Sequence, residues 1–147
     1  PPSKRIDDVD VEYNIGISKD FNIFELQKAI GNKDFVKANQ IINYFGDNPK
    51  DNPIFMTIVT LYGYYTKLLK LHFSKDKNRN TLATMLGVNP YFVNDYLDAA
   101  RHYSWTDCMH CIEVLRDFDM RSKGYNCSSD VTQKELYREM LYKLMTN

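Results

Sequence analysis

Apolar residues recur at helical spacing through most of the chain. From Phe21 onward they return every three or four positions, and no stretch alternates convincingly between apolar and polar residues, as a half-buried strand would. The breaks between the apolar stripes fall at Gly, Asn-Pro and Ser or Thr positions, which typically end or begin helices. The pattern predicts an all-α fold, a single bundle of about seven helices joined by short loops.

Cap residues mark several helix ends. Asn22 precedes the first stripe as an N-cap, and Gly31 and Gly46 are expected to end the first two helices in the left-handed conformation that glycine tolerates. Thr132 with Glu135 has the spacing of a capping box at the start of the last helix. These local signals predict the helix boundaries without reference to the rest of the chain.

The longest helix is predicted to start at Asn52-Pro53, a cap residue followed by a proline at the first helical position. Its main stripe is predicted to be Phe55, Ile58, Val59, Tyr62, Tyr65, Leu69 and Phe73. A second apolar set widens this surface: Leu61, Tyr64, Leu68 and Leu71. Because apolar residues surround so much of the helix, we expect it to be the central helix, in contact on more than one side.

The start of the chain differs from the rest. Residues 1–19 mix charges with Gly16 and show no sustained helical period, so we expect a linker or the remnant of a preceding domain. Residues 20–147 are expected to form one helical domain. Because the chain begins without methionine, we expect it to be a piece of a longer polypeptide.

The charge balance argues against several functions. Nineteen Lys and Arg residues offset nineteen Asp and Glu residues, whereas proteins that hold duplex DNA through its phosphates usually carry a basic excess. The apolar runs are far shorter than the roughly 20 residues of a membrane span. Three cysteines fit a reducing compartment better than a disulfide framework. We expect a soluble, cytoplasmic protein that makes no membrane contact.

One stretch, "TLATMLGVNPYFVND", has the spacing of a helix-turn-helix, with Ala83, Gly87 and Val93 as the small, turn and buried residues. The helix that follows offers Asp95 and Asp98, whose carboxylates would be repelled by DNA phosphates. A tight corner between two packed helices explains the same spacing. We favour the structural corner, and a helix-turn-helix DNA-binding regulator is the alternative.

Cys108 and Cys111 have the spacing of a zinc or redox pair, and Cys127, His102 and His110 lie near them in sequence. Both cysteines fall within a predicted helix, on or beside its apolar stripe, where buried cysteine is common. Core packing is therefore favoured, and a small zinc-binding helical module is a further alternative. We predict no metal site and no cofactor site.

The aromatic stretch "LYGYYTKLLKLHF" is a candidate platform for single-stranded nucleic acid, which needs aromatic rings and cations on one exposed face. Lys67 and Lys70 supply cations, but they fall on the polar side of the predicted helix, whereas Tyr62 and Tyr65 fall on its apolar stripe. Core packing with a few partner-facing tyrosines is favoured.

Catalytic patterns are not evident. The chain has no glycine-rich phosphate loop and no Ser-x-Gly nucleophile elbow. His72, His102 and His110 are scattered, without an evident nucleophile or carboxylate partner. We predict no catalytic residues and therefore no enzymatic activity for this chain.

Five segments, taken together in their order, resemble the C-terminal domain of the bacterial DNA polymerase III delta subunit. They are "FNIFELQKAIGNKDFVKANQIINYF", "NPIFMTIVTLYGYYTKLLKLH", "LGVNPYFVNDYLDAARHYSW", "CIEVLRDFDMRSKGYN" and "ELYREMLYKLM". The resemblance implies a helical collar domain, a non-catalytic scaffold that assembles the clamp-loader pentamer of the DNA polymerase III holoenzyme.

The resemblance also implies partners. They are the other clamp-loader subunits, of the gamma/tau and delta-prime types, and the sliding clamp would be contacted only through an N-terminal module that this chain lacks. DNA would be met only within the complex. We predict four partner-interface residues, Tyr64, Leu71, Tyr91 and Tyr137, because each is apolar or aromatic yet lies off the main stripe of its helix.

Overall fold

The computed structural model describes residues 19–146 and contains seven α-helices in this range, with no strand. The helices are α1 (Ile23–Gly31), α2 (Phe35–Asp47), α3 (Ile54–Phe73), α4 (Arg79–Leu86), α5 (Val93–His102), α6 (Trp105–Ser122) and α7 (Gln133–Met145), with a 3-10 turn at Pro90–Phe92. The predicted all-α fold is confirmed. None of the seven helices combines the length and the apolar character that crossing a membrane requires. Apart from Lys19, the predicted linker lies outside the described residues.

The predicted N-caps Asn22 and Thr132 are present and satisfy backbone amides that a helix leaves without partners. Asn52 does not cap α3, contrary to the prediction: the N-cap there is Pro53, and the amide of Ile54 donates instead to the Gln133 side chain at 2.7 Å. The Asn22 side chain accepts hydrogen bonds from the amides of Phe24 and Glu25, both at 3.0 Å. Thr132 and Glu135 bond each other's backbone amides in a reciprocal capping box at α7, and Ser104 with Asp107 does the same at α6. Each cap stabilises its helix by about 1 kcal/mol.

Two glycines do not end helices in the left-handed conformation, contrary to the prediction. Gly31 and Gly46 lie inside α1 and α2, and neither has a positive φ. A Cβ on Gly31 would lie 2.3 Å from Tyr64 Oη, and one on Gly46 would lie 2.6 Å from Lys134 Cγ. Glycine is needed at both positions because another helix approaches too closely for a side chain.

Helix α3 is central to the bundle, as predicted. It packs along α6 and also contacts α1, α4 and α5, while α2 packs along α7. In the middle of α3, Tyr65 is fully buried, and its ring lies 5.6 Å from Tyr64 and 5.3 Å from Tyr103. The core is thus built around a helix that is covered on several sides.

The buried side of α3 is not the predicted main stripe. The residues that face the core are Ile54, Thr57, Ile58, Leu61, Tyr64, Tyr65, Leu68 and Leu71. Four members of the predicted stripe are instead exposed: Phe55, Val59, Tyr62 and Phe73. Because α3 is apolar on nearly every side, its periodicity shows that it is a helix without showing which side is covered.

Candidate functional site

Three of the four residues predicted to face partners are buried, so their assignment to the surface was wrong. Tyr64 is 6% exposed, Leu71 2% and Tyr137 0%, and all three belong to the hydrophobic core. The sequence pattern assigned them to the surface because they lie outside the predicted apolar stripes. The structure shows that the buried sides of their helices include them. Tyr91 is 81% exposed, and its role at an interface remains a prediction.

Tyr137 is held by polar contacts as well as by packing. Its hydroxyl donates to the Asn52 carbonyl at 2.9 Å and lies 2.6 Å from Thr57 Oγ1, which therefore donates to it. The ring lies 5.9 Å from Phe45. Burial raises the pKa of the Tyr137 hydroxyl above its ordinary value. This tyrosine joins α7 to the start of α3 inside the core.

An exposed apolar surface lies on the other side of α3. Phe55, Met56, Val59 and Tyr62 are each more than half exposed, and their spacing places them close together on the helix. We call these four residues the α3 face. No charged residue occurs anywhere in 54–66, so the surface of this half of the helix is uncharged on every side.

Helix α6 adds further exposed apolar residues next to α3. Trp105 and Met109 are exposed, and the Trp105 ring lies 6.1 Å from that of Phe73 at the end of α3. Since α3 packs along α6, exposed apolar side chains occur on two neighbouring helices. Monomeric proteins rarely leave such surfaces uncovered, and they commonly mark contacts with other proteins.

A separate groove lies between α1 and the start of α5. It has a volume of about 560 Å³, and Phe24, Tyr91 and Phe92 are the exposed aromatic residues along it. Tyr64 lies at its inner side, and Asp95 on α5 helps to raise the pKa of that tyrosine, after the larger effect of burial. The groove combines aromatic rings with carboxylates.

The helix corner at "TLATMLGVNPYFVND" has the predicted geometry. Gly87 adopts the left-handed conformation with φ 69°, and Ala83 and Val93 are buried. On the helix that would enter a DNA groove, Arg101 forms an ion pair with Asp98, so its charge is already offset. The corner therefore serves to pack α4 against α5, and the structure gives the DNA-regulator alternative no basic recognition surface on α5.

The cysteine pair lies in the core. Cys108 and Cys111 are both fully buried on α6, and burial raises the pKa of the Cys108 thiol to about 12. Among the described residues, no group of three or more His, Cys, Asp or Glu side chains is placed to hold a metal ion. This arrangement favours the core-packing interpretation over the zinc module.

Sequence reasoning missed the α3 face because it assigned three of its four residues, Phe55, Val59 and Tyr62, to the main apolar stripe. The signal that could have found them is the absence of charge through residues 54–66. A helix that faces solvent on one side normally carries charged residues there, so an uncharged helix is expected to be covered on all sides. The other described helices cover only part of α3, and its remaining side is exposed.

Comparison with known proteins identifies a family for this chain. The model of the family "DNA polymerase III delta subunit, C-terminal domain" matches residues 20–142. Comparison with curated proteins and with solved structures yields no match. Because the family model covers most of the 147 residues, the chain belongs to the family of C-terminal domains of the DNA polymerase III delta subunit.

Proposed function

We propose that this chain is a collar domain, a non-catalytic scaffold that helps to assemble the clamp-loader pentamer in DNA replication. The observation that supports the proposal is the α3 face, a set of four exposed apolar residues on a helix half without charges. Membership of the delta-subunit family supplies the assembly in which such a surface would be covered.

The proposed partners are the helical domains of the other clamp-loader subunits, of the gamma/tau and delta-prime types. In this proposal the α3 face packs against a neighbouring domain, and Met109 of α6 extends the contact. The sliding clamp and primed DNA are handled by other parts of the assembly, in the cytoplasm. The domain itself contributes position rather than chemistry.

The expected strength of the contact follows from the side chains involved. Covering a large apolar side chain contributes about 1.5–3 kcal/mol, and a few aromatic residues usually dominate an interface. Tyr62 is the aromatic member that also carries a polar tip, which suits partial burial between two proteins. Its replacement by alanine is expected to cost about 2 kcal/mol of binding free energy, which corresponds to a roughly 30-fold larger dissociation constant.

The test uses size-exclusion chromatography of the chain mixed with the other clamp-loader subunits. The wild-type chain is expected to comigrate with them, and the double variant V59A/Y62A is expected to lose comigration at concentrations near the dissociation constant. The matched control is V36A/Y142A, which removes the same two residue types from exposed positions on α2 and α7. Circular dichroism verifies that both variants remain helical.

The two double variants separate the possible outcomes. If V59A/Y62A and V36A/Y142A weaken assembly equally, the α3 face is not the contact. If the wild-type chain fails to comigrate with any of the clamp-loader subunits, the scaffold proposal is wrong. Tyr91→Ala tests the groove rim as a second contact, since an exposed side chain can be removed with little effect on folding.

A further inference from the structure

Basic residues are concentrated where α3 ends. Residues 67–79 contain five of the chain's Lys and Arg residues and one acid, Asp76, so the segment carries a net charge of +4 in a chain that is neutral overall. The five are Lys67, Lys70, Lys75, Lys77 and Arg79. A local excess of this size, in a protein without a net charge, attracts anionic partners to one place.

These five cations are not neutralised by carboxylates. None of them belongs to any of the six ion pairs between described residues, which instead involve the cations of α5, α6 and α7 and the loop after α6. Lys77 Nζ donates to the Leu71 carbonyl at 3.3 Å, and Arg79 donates to the Asn94 side-chain oxygen at 2.9 Å. Both acceptors are uncharged, so the positive charges remain available to a ligand.

Asp76, within the segment, and Asp107, two positions after Trp105, are engaged with backbone amides. Asp76 Oδ1 accepts from the amide of Asn78 at 2.8 Å, and Asp107 at the start of α6 accepts from the amide of Ser104 at 3.0 Å. Hydrogen bonds to these carboxylates leave their negative charges in place, but two acids do not offset five cations.

Two exposed aromatic rings lie at the same place. Phe73 is 67% exposed and Trp105 is 51% exposed, with their centroids 6.1 Å apart. Lys70 precedes Phe73 by one turn on α3, and the Lys77 ammonium group lies at the last turn of the same helix. We call Lys70, Phe73, Lys75, Lys77 and Trp105 together the α3 end.

We propose that the α3 end binds single-stranded nucleic acid. Its lysines would neutralise successive phosphates, and an unpaired base would stack on the exposed ring of Phe73 or Trp105. Exposed rings beside cations are the usual combination in proteins that bind single strands, because every base has a face that can stack. The positive charge of the lysines favours a polyanion. The exposed rings of Phe73 and Trp105 favour a single strand, because its bases are free to stack.

The α3 end is distinct from the α3 face. Tyr62 precedes Phe73 by eleven positions, which corresponds to about 16 Å along a helix axis. One surface is uncharged and the other is strongly basic, so they suit different partners. The nucleic-acid proposal therefore does not depend on the clamp-loader proposal, and either can fail alone.

Trp105 provides the measurement, because it is the only tryptophan of the chain. The complete 147-residue chain is titrated with an oligothymidylate about 20 nucleotides long, and tryptophan fluorescence is recorded together with the anisotropy of the labelled oligonucleotide. We expect quenching of Trp105 and saturable binding at low salt. The logarithm of the affinity should fall with the logarithm of salt concentration with a slope of about −0.7 for each phosphate neutralised.

Two lysine triple variants test the position of the site. K70Q/K75Q/K77Q should weaken binding and reduce the magnitude of the salt slope by about 2, because three phosphate contacts are lost. The matched control K19Q/K28Q/K50Q removes the same charge from three exposed lysines elsewhere. Phe73→Ala should weaken binding roughly fivefold to a hundredfold, which corresponds to the loss of one stacked base.

Four results would overturn the proposal. They are no binding of the oligothymidylate at low salt, an equal loss of affinity in the two triple variants, binding of duplex DNA as tight as that of the single strand, and binding of phosphatidylserine vesicles without binding of the oligonucleotide. Preferential binding of the single strand, with the loss confined to K70Q/K75Q/K77Q, would support it.

Discussion

Gly31 and Tyr64 lie so close together that one added methyl group forces one of them to move. In Gly31→Ala, the new Cβ would lie 2.3 Å from Tyr64 Oη and 3.0 Å from Ala99 Cβ. Tyr64 cannot easily turn aside, because its ring lies 5.6 Å from Tyr65 and 5.5 Å from Tyr96. A methyl group at Gly31 meets the Tyr64 hydroxyl only if Tyr64 is buried against α1. The effect of Gly31→Ala therefore tests whether Tyr64 is a core residue or an interface residue.

The size of the effect follows from these distances. Overpacking a core typically costs about 1–3 kcal/mol, while alanine in place of glycine within a helix recovers up to about 1 kcal/mol. We expect Gly31→Ala to lower the free energy of unfolding by about 1–2 kcal/mol. In a Tyr64→Phe background the hydroxyl is gone, and the nearest atom of that ring is Cζ at 3.5 Å, an ordinary contact. The 3.0 Å approach to Ala99 Cβ remains, so Gly31→Ala should then cost less without becoming neutral, and the two substitutions should be coupled by about 1 kcal/mol.

The assay is urea denaturation of the wild-type chain, the two single variants and the double variant, followed by circular dichroism. Equal m-values would show that the variants unfold over the same change in surface area. If the two effects simply add, within about 0.3 kcal/mol, Tyr64 does not lie against Gly31 as described. If Tyr64→Phe keeps its stability yet weakens clamp-loader assembly, Tyr64 faces a partner after all.

Three further predictions concern stability and pH. Tyr137→Phe should lower the free energy of unfolding by about 1–3 kcal/mol, because the Asn52 carbonyl and the Thr57 hydroxyl lose their hydrogen-bond partner. Tyr91→Ala should change it by less than about 0.5 kcal/mol, and thermal unfolding of both variants measures the difference. Burial raises the pKa of four tyrosines above the ordinary value of 10.0: Tyr64, Tyr65, Tyr103 and Tyr137. The folded state retains these protons, so their contribution is complete below pH 10.0 and is lost as the pH rises above it. The part of the tyrosinate absorbance that comes from these four residues should appear only together with unfolding. Ionisation of all eleven tyrosines while the circular dichroism is still that of the folded protein would refute this. The hydrogen bond from Arg121 lowers the pKa of Glu139 below 4.5. The pair therefore stabilises the folded state above this pH, and the stabilisation is lost as the pH falls through the lowered pKa. Glu139→Gln should reduce the change in the free energy of unfolding at acid pH by less than about 1 kcal/mol.

Local signals predicted the helix ends well. Asn22, Thr132 with Glu135, and the Gly87 turn are all found as predicted, because each depends on hydrogen bonds or backbone angles within a few residues. The family resemblance could also be stated from the sequence, since it rests on the order of whole segments. Gly31 was misinterpreted because its requirement comes from Tyr64, a residue on another helix.

The candidate site was harder to predict, and the reason lies in α3. A helix with apolar residues on nearly every side has no unique stripe, so the pattern could not separate Tyr64, which is buried, from Tyr62, which is exposed. Only the positions of the helices packed around α3 decide which side is covered. The same ambiguity assigned Phe73 to the main apolar stripe, so the basic and aromatic end of α3 was not recognised.

Because two thiols on α6 are buried, their reaction with a thiol reagent can be used to measure how often the bundle opens. Cys108 and Cys111 are inaccessible in the folded bundle, whereas Cys127, after α6, is partly accessible. A thiol reagent should therefore modify Cys127 first and reach the other two only when the bundle opens. The rate of that slow phase, compared with the rate in denaturant, measures the free energy of opening. Clamp-loader partners that cover α3 and α6 should slow this phase further, in proportion to how strongly they bind.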